Sequence, residues 1–229
     1  MGNLRDIKRR IKSVRNTSQI TKAMQMVASA KMRRAQELAL RGRDYISALA
    51  NVLRHLGAVI EQGGASLMQT REQGRTLVVV INTDKGLCGA LNANLLREVI
   101  NEMPTDADVM CIGTKLAPTL RRLGRQVEYV FSVSDAVGEV ELKPIFEVLR
   151  RGFEEGRYNR VEVFYQKFIN VMVQRSQRRT LLPITPEDLL RVADQDALPD
   201  SDNPNFLLEP TPADLLASIL PLYVSNLLT

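Results

Sequence analysis

The stretch Thr83-Asp84-Lys85-Gly86-Leu87-Cys88-Gly89-Ala90 stands between an apolar run and a helix-forming segment, where a phosphate-binding loop would stand. Backbone N–H groups at a helix start attract phosphate, and glycines allow close approach to the main chain. The spacing, however, is neither GxGxxG nor a Walker loop, which carries GK[ST] where the helix opens. Gly86 and Gly89 are therefore read as serving a tight turn and close strand–helix packing. Cys88 lies beside the same helix start, a place where a thiol can be reactive. With no His or Asn partner evident in the sequence, it reads as a buried structural thiol. Cys111 is the other cysteine and His55 the one histidine. These are too few for a disulfide framework or a four-ligand metal site, so no metal or cofactor is expected.

Charge is the second chemical feature. Residues 1–43 carry twelve Lys and Arg against Asp6 and Glu37, a net +10, while the remaining nineteen bases and twenty-four acids give −5. A segment so one-sided is expected to meet something acidic. Met24, Met26 and Met32 lie inside it. Methionine adapts to irregular or changing contact surfaces. A basic helix ahead of a heptad seam also suits DNA, as in basic zippers, but the seam here runs through the basic block and no base-reading cluster of Asn and Arg stands out.

The first proline is Pro104, so the first hundred residues lack the strongest helix breaker. Alternating steps of three and four from Leu4 through Ile7, Ile11, Val14, Ser18, Thr21, Gln25, Ala28 and onward to Ile60 trace a heptad seam 57 residues long. That pattern predicts one coiled-coil helix over residues 1–62, about 85 Å at 1.5 Å per residue, ended by Gly63-Gly64. Its ends are large and aliphatic, and its middle is polar or small. Strands are expected at 76–81, 108–113, 127–131 and 161–165, with an alternating edge strand at 171–182. Helices are expected at 90–103, 115–123 and 141–155. This alternation predicts a small Rossmann-like α/β domain over residues 75–182 with a mostly parallel sheet. Six prolines and many acids mark residues 183–212 as a linker. Residues 213–229 read as a short C-terminal helix, about 24 Å long. It covers under a third of the seam, so the rest must be met by other chains or by sequence not present here. No run of 18 apolar residues exists, Met1-Gly2-Asn3-Leu4-Arg5 is not a signal segment, and Asp6 replaces the Ser or Thr of a myristoylation motif. A cytoplasmic, reducing location is expected.

Three segments, in order along the chain, carry a resemblance. Ile20-Thr21-Lys22-Ala23-Met24-Gln25-Met26 with Val27 to Gln36, the stretch from Thr83 to Leu95, and Phe206-Leu207-Leu208-Glu209-Pro210 followed by Ala213–Val224 closely resemble the gamma subunits of F-type ATP synthases. The resemblance implies a non-catalytic central-stalk rotor. Its coiled coil would stand inside a ring of three alpha and three beta subunits, with the α/β domain near the epsilon subunit and the c-subunit ring. It implies no nucleic acid partner, indirect membrane association through the c ring, and a peripheral place on the cytoplasmic face of a bacterial inner (plasma) membrane. The partner interface would include Ile20, Thr21, Lys22, Met24, Met26, Lys31, Arg33 and Arg34, with the basic residues facing acidic beta-subunit loops, and Glu209 near the c ring. Family members continue past Tyr223-Val224-Ser225 as a long antiparallel helix. Against that pattern, an end at Thr229 implies a truncated chain, a missing stretch, or a naturally short subunit.

Overall fold

The structure, a computed structural model, describes residues 4–55, 66–134, 139–185 and 187. The chain divides into two units, Met1–Gly42 and Arg43–Thr229.

Helix α1 runs from Leu4 to His55, 52 residues, or about 78 Å at 1.5 Å per residue. No Pro or Gly interrupts it before Gly42, and Arg, Lys, Met, Gln and Ala propagate a helix well. Asp6 lies in the first turn, where the helix dipole favours an acid. Two hydroxyls bond back into the helix: Thr17 Oγ1 donates to the Ser13 carbonyl (3.0 Å) and, on the seam, Thr21 Oγ1 to the Thr17 carbonyl (2.8 Å). From Leu4 to Glu37 every residue is exposed except the half-buried Gln36. The expected helix end at Gly63-Gly64 and the helix over 213–229 lie outside the described residues, as do most of the linker over 183–212 and the side chains of the seam beyond Glu37; of that linker, Ile184 is buried and its N–H donates to the Leu67 carbonyl at 2.9 Å.

After a 3₁₀ turn at Ser66–Met68 comes the α/β sequence: β1 (Arg75–Ile81), α2 (Leu91–Glu102), β2 (Asp108–Ile112), α3 (Ala117–Arg122), β3 (Gln126–Phe131), α4 (Glu139–Glu154), β4 (Tyr158–Asn170) and β5 (Val173–Leu182). The sheet order is β3-β2-β1-β4-β5. The first four strands are parallel and β5 pairs antiparallel with β4, a doubly wound order closed by an antiparallel edge. Successive side chains of a strand point to opposite faces. Leu77 and Val79 of β1 accordingly join α4 residues Leu142, Ile145, Leu149 and Phe153 in one core layer. Val78 and Val80 join Leu95 and Val99 of α2 and Leu120 of α3 in the other. Helices on both faces explain why β1 and β2 are apolar at consecutive positions rather than alternating.

Two strands differ from the sequence reading. β4 starts three residues earlier than expected and continues to Asn170, and Val171-Met172 form the turn rather than the start of the edge strand. Asn170 makes the turn without Gly or Pro: its Oδ1 accepts the main-chain N–H groups of Met172 and Val173, both at 2.9 Å.

Candidate functional site

The residues that the sequence marks as a partner interface on α1 do not form one patch. A helix turns about 100° per residue. Lys22, Met26 and Arg33 therefore share one flank, where with Gln25, Ser29 and Ala30 they line a shallow groove. Ile20, Met24, Lys31 and Arg34 fall roughly on the opposite flank by the same periodicity. Thr21 lies between them on the seam, its hydroxyl turned back to the Thr17 carbonyl. Leu4, Ile7, Ile11, Val14, Ile20, Met24, Met26 and Val27 are all exposed large apolar residues. Each flank thus offers apolar contact area beside a fixed positive charge. Glu209 lies outside the described residues.

The loop after β1 is braced by amide side chains. Asn82, at the end of the strand, is its hub. Its Nδ2 donates toward the carbonyls of Val80 (3.2 Å), Ile112 (3.1 Å) and Gly113 (3.1 Å), and its Oδ1 accepts the Leu116 N–H (3.1 Å). Asp84 Oδ1 accepts the Thr114 N–H at 3.1 Å, and the Thr83 carbonyl accepts the Lys115 N–H at 3.1 Å. Asn92 Oδ1 takes the Thr83 N–H (3.3 Å), while its Nδ2 donates to Thr83 Oγ1 (2.6 Å) and Cys88 Sγ (3.5 Å). The N–H groups of Thr83, Thr114, Lys115 and Leu116 are therefore already bound by protein acceptors. Gln166 of β4 closes the crevice beside β1 by donating to the Leu91 carbonyl at 3.0 Å. That crevice is where a doubly wound sheet would take a ligand.

Three sequence readings of this loop are corrected. Cys88 is half-buried, not buried, and it does have an Asn neighbour, Asn92, one helical turn on. Asn92 spends its other contacts on Thr83, so it braces the loop. Gly89 meets the need for a turn, with φ +61°, but a Cβ at Gly86 or Gly89 would have no heavy atom within 4 Å, so neither serves close packing. That role belongs to Gly113, where a Cβ would lie 2.2 Å from the Asn82 carbonyl oxygen and φ is +101°. Leu87 also has positive φ, 62°, and is 93% exposed at the loop's crest. Asn82, Asn92 and Gln166 escaped the sequence reading because isolated amides carry no periodic signal.

Two buried acids hold the sheet's flanks. Asp108, 1% exposed, pairs with Arg75 (2.9 Å) and Arg157 (3.6 Å). Glu162, also 1% exposed, takes Arg178 in two-pronged fashion (2.7 and 3.1 Å), with Arg160 at 3.5 Å. The Glu162 carboxylate holds the Arg178 guanidinium above its ordinary pKa. Burial pushes the Cys111 thiol up to about 11, against a smaller lowering by Arg121. Among the described residues no group of three or more His, Cys, Asp and Glu is placed to hold a metal ion. None of the described helices is long and apolar enough to cross a membrane.

Helix α1 is thus exposed from Leu4 to Glu37 but for Gln36, and amide side chains brace the loop after β1. The family model for ATP synthase matches residues 3–229. The ATP synthase gamma chain of Akkermansia muciniphila is 52% identical over 227 residues, covering 98% of this chain and 78% of that one. This chain belongs to the ATP synthase gamma family. The gamma chain of Heliobacterium modesticaldum is 36% identical over 230 residues, covering 99% and 79%. The fold is shared with a chain in the central stalk and c-ring structure of the Tetrahymena thermophila mitochondrial ATP synthase, with a TM-score of 0.60 at 22% identity over 90% of this chain and 88% of that one. As a gamma-family member the chain is a subunit of an ATP synthase and not an ATPase by itself.

Proposed function

We propose that this chain is the central-stalk rotor of a proton-translocating F-type ATP synthase. Rotation of the c ring would turn α1 inside a ring of three alpha and three beta subunits. The shaft would touch three chemically identical beta subunits differently at any instant. Such differential contacts bias binding states, which is allostery by unequal contact free energy. The observation that carries this reading is α1 itself: a helix about 78 Å long whose described side chains present apolar and basic residues on two flanks. In this reading Lys22, Lys31, Arg33 and Arg34 face acidic loops of the beta subunits, Met24 and Met26 supply adaptable contacts, and Ile20 and Thr21 complete the surface. Glu209 stands near the c ring. The epsilon subunit and c ring are the partners at the α/β domain. The chain is peripheral, on the cytoplasmic face of a bacterial inner membrane, held there through the c ring.

The test is affinity purification from native membranes in gentle detergent with quantitative mass spectrometry of the partners. Alpha, beta, epsilon and c subunits at whole-complex ratios are expected. A lone chain, or one carrying nucleic acid, refutes the reading. In the purified complex, Lys22→Gln with Arg33→Gln should lower the torque of ATP-driven rotation, since both charges lie on one flank; unchanged torque removes these residues from the interface.

A further inference from the structure

Leu87 stands at the crest of the loop between β1 and α2 with φ 62°. That backbone conformation costs a non-glycine residue free energy and persists only where its surroundings hold it. The Leu87 side chain is 93% exposed, so its neighbours do the holding. One clamp comes from the β2 side, where Asp84 Oδ1 and the Thr83 carbonyl accept the N–H groups of Thr114 and Lys115. The other comes from α2. Asn92 reaches both Thr83 and Cys88 with its amide, and the Cys88 carbonyl accepts the Leu91 N–H at 3.4 Å. This second clamp is only as steady as the first turn of α2.

That turn is tied to a distant part of the chain. Pairing of β4 with β1 stops at Phe164, so the β4–β5 hairpin leaves the rest of the sheet there. Gln166 follows just past the last rung. Its Nε2 donates to the Leu91 carbonyl (3.0 Å) and to Ser176 Oγ of β5 (2.8 Å), joining the start of α2 to both strands of the hairpin. The far end of α2 is held by the same two strands: Arg178 of β5, bound to the buried Glu162 of β4, reaches Glu102 at 3.8 Å. Between the two ties Phe164 of β4 shares a core layer with Leu95 and Val99 of α2. Helix α2 therefore rides on the hairpin. Gln166 is the weaker tie, because its bonds are between neutral groups and those of Arg178 with Glu162 are charge-assisted and two-pronged.

We propose that Gln166 is a conformational latch between the hairpin and the crest. With it closed, the hairpin, α2 and the loop after β1 move as one body. With it open, the first turn of α2 frays, Asn92 loses its hold on Thr83 and Cys88, and Leu87 relaxes out of its positive φ. A displacement of the hairpin away from β1 is thereby converted into a change of shape at an exposed loop on the far side of α2. The coupling is reciprocal, so whatever fixes the crest also steadies the hairpin.

The experiment is hydrogen–deuterium exchange of the full chain, read by mass spectrometry on peptides from residues 83–94 and, as the measure of global opening, 108–112. Gln166→Glu keeps the size of the side chain and removes its donor. It should speed exchange over 83–94 by roughly fivefold, the equilibrium factor of one ordinary hydrogen bond, and leave 108–112 unchanged. Ser176→Ala should do the same more weakly, and serves where Gln166→Glu does not fold. Asn92→Ala acts further along the same chain of contacts, so combined with Gln166→Glu it should give less than the product of the two single effects. Gln174→Ala, whose bonds stay within the hairpin turn, should leave 83–94 as it was. Exchange over 83–94 indifferent to both Gln166→Glu and Ser176→Ala overturns the proposal. So does a rise matched at 108–112, or single effects that multiply in full.

Discussion

Asn82 offers the sharpest test of how the loop after β1 is held. Its amide has two hydrogens aimed at three carbonyls and one oxygen accepting the Leu116 N–H, all at 3.1–3.2 Å. Counting three hydrogen bonds at about 1 kcal/mol each, Asn82→Ala should destabilise the α/β unit by about 3 kcal/mol. For a unit of this size that is a fall in Tm of roughly 10 °C. Asn82→Asp separates the donor role from the acceptor role. It keeps the oxygen for Leu116 but turns a carboxylate toward the three carbonyls, so the introduced group's folded-state pKa is raised. An acid raised on folding gives the folded state extra protons. The variant's deficit relative to wild type should therefore be greatest at neutral pH, shrink as pH falls through that raised pKa, and level off below the ordinary carboxylate pKa of about 4. Urea denaturation of the purified chain, followed by the loss of α/β signal at several pH values, reads both numbers. A cost under about 1 kcal/mol for Asn82→Ala, or a pH-independent deficit for Asn82→Asp, would refute the hub role, given the net worth of such bonds.

Gly152→Ala should cost about 1–3 kcal/mol by overpacking, because its Cβ would lie 2.6 Å from two ring carbons of the fully buried Tyr158; thermal melts check it. Arg178→Ala leaves the Glu162 carboxylate buried beside Arg160 alone and should cost about 3 kcal/mol, and adding Glu162→Gln in that background should recover part of the loss in a double-mutant cycle. The Cys111 thiol titrates at about 11 when folded against 9.0 ordinarily, so its contribution is full below pH 9 and is lost as pH rises through 11. That loss is on the order of 2–3 kcal/mol; Cys111→Ala should flatten this part of the alkaline stability profile and leave the slope of the same sign from Tyr158, whose hydroxyl burial also pushes up.

The core of the α/β unit was legible because both sheet faces are covered. Val78, Val79 and Val80, or Val109, Met110 and Cys111, can be buried in sequence only in such a layer, and the runs showed it. The spacing of Leu95, Val99 and Met103 likewise gave away α2. The far half of β4 was not legible, because Gln166 to Asn170 have no second layer above them and so no apolar run. Its turn also carries neither of the residues that punctuate most turns. Asn82 binds partners some 30 positions away and Asn92 binds nine positions back, distances that leave no trace in local periodicity. Gly86 and Gly89 drew attention by position, whereas the close approach is at Gly113, whose neighbour is set by the β1–β2 register. On α1 the seam was visible from spacing alone. The division of the basic and methionine residues between two flanks needed the helical angle of each.

The exposure of α1 has a consequence for how the cell must handle this chain. A newly made copy displays Leu4, Ile7, Ile11, Val14, Met24 and Met26 to solvent, the kind of surface that chaperones and proteases recognise. On the rotor reading proposed above, other subunits would cover that helix, so a copy made without them should be degraded faster, which pulse–chase lifetimes in cells lacking the partner subunits would show.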